Sequence, residues 1–410
     1  MNTKLRLLSL AIMSSMSISA YALQAEKHTV VAPACLLKNM SGNYQALATS
    51  AGLNLIETNE KGIDQLIAAK EATRKAGCGG FMDVTTAWDA YDAKSVAPVN
   101  KAASFLMQYT QPKKLSSQDQ STVYTIKYQT QVNQLLNQMN PQDIWDNLTI
   151  LSAFPDRYSR GDNGVKAAAW IKSRVEEMAK KAGRTDVTAY YVSTGDRYKQ
   201  PSVVVKVGHS TEAGVVVGGH MDTLQSSAFG NMPGADDDGS GSMSVMEAAR
   251  LILSSGMQFK KPIYFVWYSA EELGLIGSQY VVADFKAKKI PVDAVLQLDM
   301  TGYEYKNEST IWLMDDYVNK DLTSFTETLV NTYVNVPVKH SRCGYACSDH
   351  ASWTQGGFKS SMPFETEMNR DNPNIHSSND TMDHLTLQHM ADFAKLGTAF
   401  AVELAEPVTK

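Results

Sequence analysis

Apolar and polar positions along the chain follow two rhythms. Short, almost wholly apolar runs at residues 202–207, 214–217, 263–268 and 294–298 are too brief for helices and rich in β-branched and aromatic side chains, which predicts buried strands. Between and before them, apolar residues recur every three or four positions. That spacing predicts helices over 130–139, 164–182 and 240–253, and from Glu272 onward. The stripe of the second helix reads Val165, Ala168, Ala169, Val175, Met178 and Ala179. Apolar strands alternating with helices predict an α/β fold: a mainly parallel central sheet flanked by helices on both faces. No internal repeat is present.

The N-terminal third reads differently. Residues 1–22 have a basic start at Lys4 and Arg6, an apolar stretch diluted by serines, and an Ala20-Tyr21-Ala22 cleavage pattern. The stretch is shorter than the roughly 20 apolar residues of a membrane span. A secretory signal peptide over 1–22 is expected, and with it export, no membrane association, and conditions that permit disulfides. Residues 23–107 carry Cys35, Cys78 and a Gly77-Cys78-Gly79-Gly80 turn, with no His, Asp or Glu cluster that would bind a metal. Residues 111–121 are polar and contain Lys113-Lys114, as an exposed, protease-accessible linker would. We expect 23–120 to be a small propeptide domain with its linker, removed by a processing protease, and 121–410 to be the catalytic domain.

Composition narrows the function. The chain has 410 residues, 43% hydrophobic and 20% charged, which excludes a disordered or low-complexity protein. A formal net charge of −5 gives no basic excess for nucleic acid, and 4 Cys cannot replace a core with bridges.

Ligands in such sheets bind beyond the carboxyl ends of the strands. There the chain places His220 and Asp222, then Asp236-Asp237-Asp238 before a helix, then Glu271-Glu272, then Asp299; a late loop adds His376. Each alone is ordinary, since acidic residues favour helix starts. Together, several carboxylates at one sheet edge repel unless a cation neutralises them. Two imidazoles with carboxylates suit zinc, and one carboxylate can bridge two ions. No G-x-S-x-G elbow and no H-E-x-x-H helix occurs, so a serine hydrolase and a thermolysin-like design lack support.

These strings, Gly218-Gly219-His220-Met221-Asp222, Pro233 to Gly241, Ala270-Glu271-Glu272-Leu273-Gly274-Leu275 and Leu298-Asp299-Met300, together with Cys343 to His350, Met362 to Glu365 and Ile375-His376, resemble the secreted di-zinc aminopeptidases of the bacterial leucyl aminopeptidase type, zinc exopeptidases of the Vibrio/Aeromonas kind. The resemblance covers about residues 122–405. It implies two zinc ions, with Asp237 bridging, Glu272 and His376 completing one site, and His220 and Asp299 the other. It implies Asp222 behind His220, a cis Asp237-Asp238 peptide, a metal-bridging water as nucleophile, Glu271 as general base and then acid, and Tyr345 at the oxyanion. Cys343 and Cys347 are expected as a disulfide holding Tyr345, while a pairing of Cys35 with Cys78 stays open. An apolar pocket of Met300, Tyr345, Cys343, Cys347, Met362, Phe364 and Ile375 would take the N-terminal side chain. Met368 and Asp371 stand where relatives carry aromatics, which leaves hydrophobic and basic preferences both open. The implied partners are peptides or proteins with a free N-terminus, cleaved by a monomer. The other histidines read as structural or exposed. Alternatives on the same fold are a glutaminyl cyclase or another amidohydrolase; a non-catalytic relative would have lost ligands or the base.

Overall fold

A computed structural model describes residues 27–408 apart from 41, 74–77, 95–99, 111–122 and 229. The signal segment 1–22 and the linker 111–121 lie outside the described residues.

The N-terminal part builds a sheet of its own. Strands β1 (Lys27–Pro33), β2 (Tyr44–Ser50), β3 (Leu53–Asn59) and β4 (Met82–Asp83) pair antiparallel in the order β2-β3-β1-β4. Helices α1 (Ala34–Leu37), α2 (Glu60–Thr73), α3 (Thr85–Lys94) and α4 (Lys101–Thr110) cover it. Alternate residues of β1 and β3 face opposite ways. Val30, Ala32 and Ile56 pack with Leu36, Ile63 and Leu66, whereas Val31, Leu53 and Leu55 pack with Trp88, Phe105 and Leu106. Cys35 and Cys78 form a disulfide, which ties α1 to the chain ahead of β4. The second cluster also includes Leu275 and Ala351, so this sheet packs directly against the larger part of the molecule.

That larger part contains α5 (Gln129–Leu136), α6 (Pro141–Ser152), α7 (Asp162–Lys181), β5 (Val187–Val192), β6 (Ser202–Val207), β7 (Gly214–His220), α8 (Gly241–Ser254), β8 (Ile263–Tyr268), α9 (Ile276–Ala287) and β9 (Val292–Gln297). After these come β10 (Ile311–Met314), α10 (Lys320–Leu329), β11 (Val338–Ser341), α11 (His350–Gly356), β12 (Ser360–Ser361), β13 (Pro363–Phe364) and α12 (Leu387–Ala405). The main sheet runs β12-β9-β7-β8-β6-β5. Its first four strands are mutually parallel, and β6 and β5 add an antiparallel edge. This is the expected α/β architecture with helices on both faces.

Period-two alternation sorts the core into two layers. Val205, Val215, Val217, Phe265, Trp267 and Leu296 pack under α5–α8, α10 and α12. Val204, Val216, Tyr264, Val266, Tyr268 and Val295 pack on the opposite face against Val281, Val282 and Phe285 of α9 and Trp353 of α11. β7 is buried at every position, as a central strand must be, and its last residue is His220.

Two expectations need correction. The buried stripe of α7 runs through Gly164, Ala167, Ala168, Ile171, Val175 and Ala179, leaving Val165 and Ala169 exposed. Helical rotation toward the sheet selected Ile171 over Val165. The helix expected from Glu272 starts only at Ile276. The intervening residues form a turn because Asp222 accepts the amide N–H groups of Glu271 and Glu272, at 3.0 and 3.3 Å, and Gly274 and Leu275 take positive φ.

Candidate active site

The ends of β7, β8 and β9 converge with two loops on one buried point. His220 closes β7, Glu271 and Glu272 follow β8, and Asp299 follows β9. Asp237 lies in the irregular turn of residues 235–240 ahead of α8, and the Asp237-Asp238 peptide is cis, as the resemblance implied.

Asp238 is the tie between these ends. Its carboxylate accepts amide N–H groups from His220 at 3.0 Å, Gly241 at 2.9 Å and Met300 at 3.0 Å. Asp237 faces the other way. Its Oδ1 lies 3.0 Å from His220 Nε2 and its Oδ2 lies 2.8 Å from His376 Nε2. Glu272 Oε2 is 3.0 Å from the same His376 nitrogen, and Asp299 Oδ1 is 3.7 Å from His220 Nε2. Behind the ring of His220, Asp222 Oδ1 stands 3.5 Å from Nδ1.

Two groups of donor atoms result, His220 with Asp299 and Asp238, and Asp237 with Glu272 and His376. In the first group the carboxylate of Asp238 is engaged by three amides, whereas that of Asp237 lies between both imidazoles. The donor chemistry fits zinc. His376 Nε2 is buried and makes no hydrogen bond, despite carboxylate oxygens at 2.8 and 3.0 Å. This nitrogen and those oxygens crowd one buried point.

Electrostatics point the same way. Burial by itself would depress both imidazoles, yet Asp299 beside His220 and Glu272 beside His376 raise them well above the usual histidine range. Burial opposes ionisation of Asp237 as well, but the two imidazoles hold its carboxyl well below the usual range. The cluster draws positive charge to itself. Glu271 behaves differently: burial pushes its carboxyl well above the ordinary value, against the opposing fields of His220 and Lys70. A carboxyl that readily holds a proton suits acid–base work.

A cavity of about 370 Å³ opens on this cluster. Its walls include Met300, Met362, Phe364, Met368, Ile375 and Tyr345, with Asp371 also lining it. Cys343 and Cys347 form the expected disulfide around Gly344-Tyr345-Ala346. The histidines not assigned to the metal behave as read: His28, His350 and His389 are buried, and His209, His340 and His384 are exposed, although His340 lines the cavity rim.

Several participants were invisible to sequence reasoning. Asp380 accepts the amides of Asp236 and Asp237, at 3.0 and 3.1 Å, and so fixes the Asp237 turn. Arg157, fully buried, donates to the carbonyls of Met221 at 2.7 Å and Gly234 at 2.8 Å, joining the loop after β7 to the loop before Asp237. Closeness to His376 was a signal for Asp380; nothing local marked Arg157. The N-terminal part, read as holding no metal-binding cluster of its own, contributes Lys70 and Glu71. Lys70 Nζ lies 3.2 Å from Glu272 Oε2, and Glu71 accepts a hydrogen bond from His376 Nδ1.

Comparison with known proteins gives this geometry its family. The model of peptidase family M28 matches residues 202–401. Leucine aminopeptidase 1 of Coccidioides posadasii is 35% identical over 291 residues, covering 68% of this chain and 75% of that relative. The LapA aminopeptidase of Legionella pneumophila is 41% identical with a TM-score of 0.82, covering 93% of this chain and 99% of that one. LapB of the same organism is 39% identical with a TM-score of 0.83, over 93% and 100%. The metal-seeking cluster on its α/β scaffold and the length of these matches lead to one conclusion: the chain belongs to peptidase family M28 and is a metallo-aminopeptidase.

Proposed function

We propose that this chain is the precursor of a secreted di-zinc aminopeptidase that removes the N-terminal residue from peptides and proteins. The carrying observation is Asp237, whose two oxygens address two different imidazoles, at 3.0 and 2.8 Å. A carboxylate so placed suits a bridge between two ions. His220, Asp237 and Asp299 would hold one zinc, and Asp237, Glu272 and His376 the other. When bound, zinc lowers the pKa of water and polarises a carbonyl.

The remaining work falls to side chains of this chain. Glu271 takes the proton from the attacking water and returns it to the departing amine. Asp222 holds the imidazole of His220 and the backbone of Glu271 and Glu272 in one arrangement. The Tyr345 hydroxyl donates to the developing oxyanion. Met300, Met362, Phe364, Met368 and Ile375 receive the side chain of the first residue, with Asp371 beside them. A free amine is accommodated among these carboxylates, as the ammonium of Lys70 is in the intact chain. The leader at residues 1–22 directs export, and no described helix is long and apolar enough to cross a membrane. Residues 23–120 are the propeptide, cut by a processing protease within the linker.

The test pairs metal analysis with hydrolysis of leucine anilide and its N-acetyl form. Two zinc ions per chain and cleavage of the free amine alone are expected. One zinc with cyclisation of N-terminal glutamine would establish the glutaminyl cyclase alternative, and equal cleavage of the blocked substrate would overturn the exopeptidase assignment.

A further inference from the structure

Lys70 and Glu71 are neighbours near the end of α2, and both reach the same half of the metal cluster. Lys70 Nζ is 3.2 Å from Glu272 Oε2, the oxygen that also stands 3.0 Å from His376 Nε2. The side chain of Glu272 is 2% exposed and that of Lys70 18%, so the pair meets largely out of water. Glu71 accepts the hydrogen bond from Nδ1 on the far side of the same imidazole. The approach is close because Gly79 and Gly80 lie flat on the ring of Tyr345. A Cβ at Gly80, whose φ is +71°, would come 2.1 Å from ring carbon Cε2.

We propose that Lys70 is a stand-in cation: its ammonium neutralises the Asp237–Glu272–His376 half of the centre in the intact chain, so docking of the N-terminal segment and loading of a metal ion in that half oppose each other. This rests on the di-zinc reading above. Two positive charges sharing one carboxylate oxygen in a largely dry site repel strongly. Glu71 meanwhile keeps His376 turned toward the centre, as outer carboxylates do for metal-binding histidines. The half-site thus stays preformed while its positive charge comes from protein. The other half, at His220 and Asp299, has no such contact from α2 among the described residues, so the two ions differ in how the segment affects them.

The test uses the intact chain as wild type, Lys70→Met, Lys70→Arg and Lys61→Met, titrated with zinc in competition with a chromophoric chelator. Lys61 is exposed on the same helix and controls for a general change of charge. Lys70→Met is expected to bind the second zinc about tenfold tighter than wild type, within the usual span of coupling between sites. Lys70→Arg and Lys61→Met should stay close to wild type. Coupling is reciprocal, so zinc should speed hydrogen exchange in β1–β4 of wild type and do so less in Lys70→Met. If Lys70→Met does not fold, Lys70→Gln replaces it in the same titration. Two ions bound with equal affinity by every variant would overturn the competition while leaving the di-zinc reading intact. Zinc uptake by none of them would overturn the reading itself.

Discussion

The carboxylate of Glu71 meets Nδ1 of His376 although 305 positions of sequence separate them. It gives His376 the support that Asp222, just past the end of β7, gives His220. One imidazole of the centre is therefore buttressed by the body of the enzyme and the other by a segment we propose is removed. Removal of that segment would free Nδ1 of His376 and Oε2 of Glu272 together.

Glu271 carries the proton traffic in the proposed reaction. Glu271→Gln keeps the shape and the adjacent ligands but not the basicity. We expect unchanged zinc content and a turnover of leucine anilide lower by about 10²–10⁴-fold, the usual weight of a general base. Wild-type turnover in this variant would remove Glu271 from the mechanism.

Asp222 acts through others. Its carboxylate holds the amides of Glu271 and Glu272 and stands behind His220. Asp222→Ala should weaken zinc binding by about 10–100-fold, as loss of an outer carboxylate does. A competition titration reads this directly, and an unchanged affinity would show that the turn and the ring hold themselves.

Stability of the N-terminal sheet should depend on pH through His28. The ring is buried, with Nδ1 2.6 Å from Asp83 and Nε2 3.0 Å from Glu60, while Arg160 pairs with Glu60 at 2.8 Å and Arg197 and Tyr198 face the group from the larger part. Burial lowers the imidazole's affinity for its proton, Arg197 opposes it too, but Asp83 and Glu60 outweigh both and the pKa is raised. A raised histidine gives its full stabilisation below the ordinary value near 6.5 and loses it as pH rises through the folded value. Hydrogen exchange in β1–β4 should therefore quicken on the alkaline side, and His28→Gln should flatten that dependence. An identical pH profile in the variant would exclude His28 as its source.

Asp371 tests specificity. It lines a cavity whose other walls are mostly Met, Phe and Ile, and its neighbour Glu367 is engaged by Arg370 at 3.1 Å. If Asp371 attracts basic side chains, Asp371→Ala should lower kcat/KM for lysine and arginine anilides relative to leucine anilide by about two- to fivefold, the worth of a partly exposed ion pair. A constant ratio would assign the pocket to apolar residues alone.

Much of the candidate site is legible in the sequence because several of its side chains sit at strand ends. β7 and β8 announce themselves as apolar runs, and the residue after each run points to the sheet edge where ligands bind. Boundaries were less legible. Glu271 and Glu272 look like a helix start, which is what the chain would form locally if Asp222 did not capture their amides. The stripe of α7 holds at Ala168, Val175 and Ala179 but not at Val165 and Ala169, because sequence spacing fixes a period, whereas contact with the sheet fixes the rotation.

The sequence by itself determined the helices α5, α7 and α8, the strands β6 to β9, and the residue types that seek a metal, since these depend on periods of two to four positions and on side-chain chemistry. Only the tertiary structure decided that Asp380 and Arg157 brace the Asp237 turn and that Lys70 and Glu71 close over Glu272 and His376. Those contacts join segments far apart along the chain. Their energy depends on desolvation and charge in a shared buried volume, which no local pattern of residues encodes.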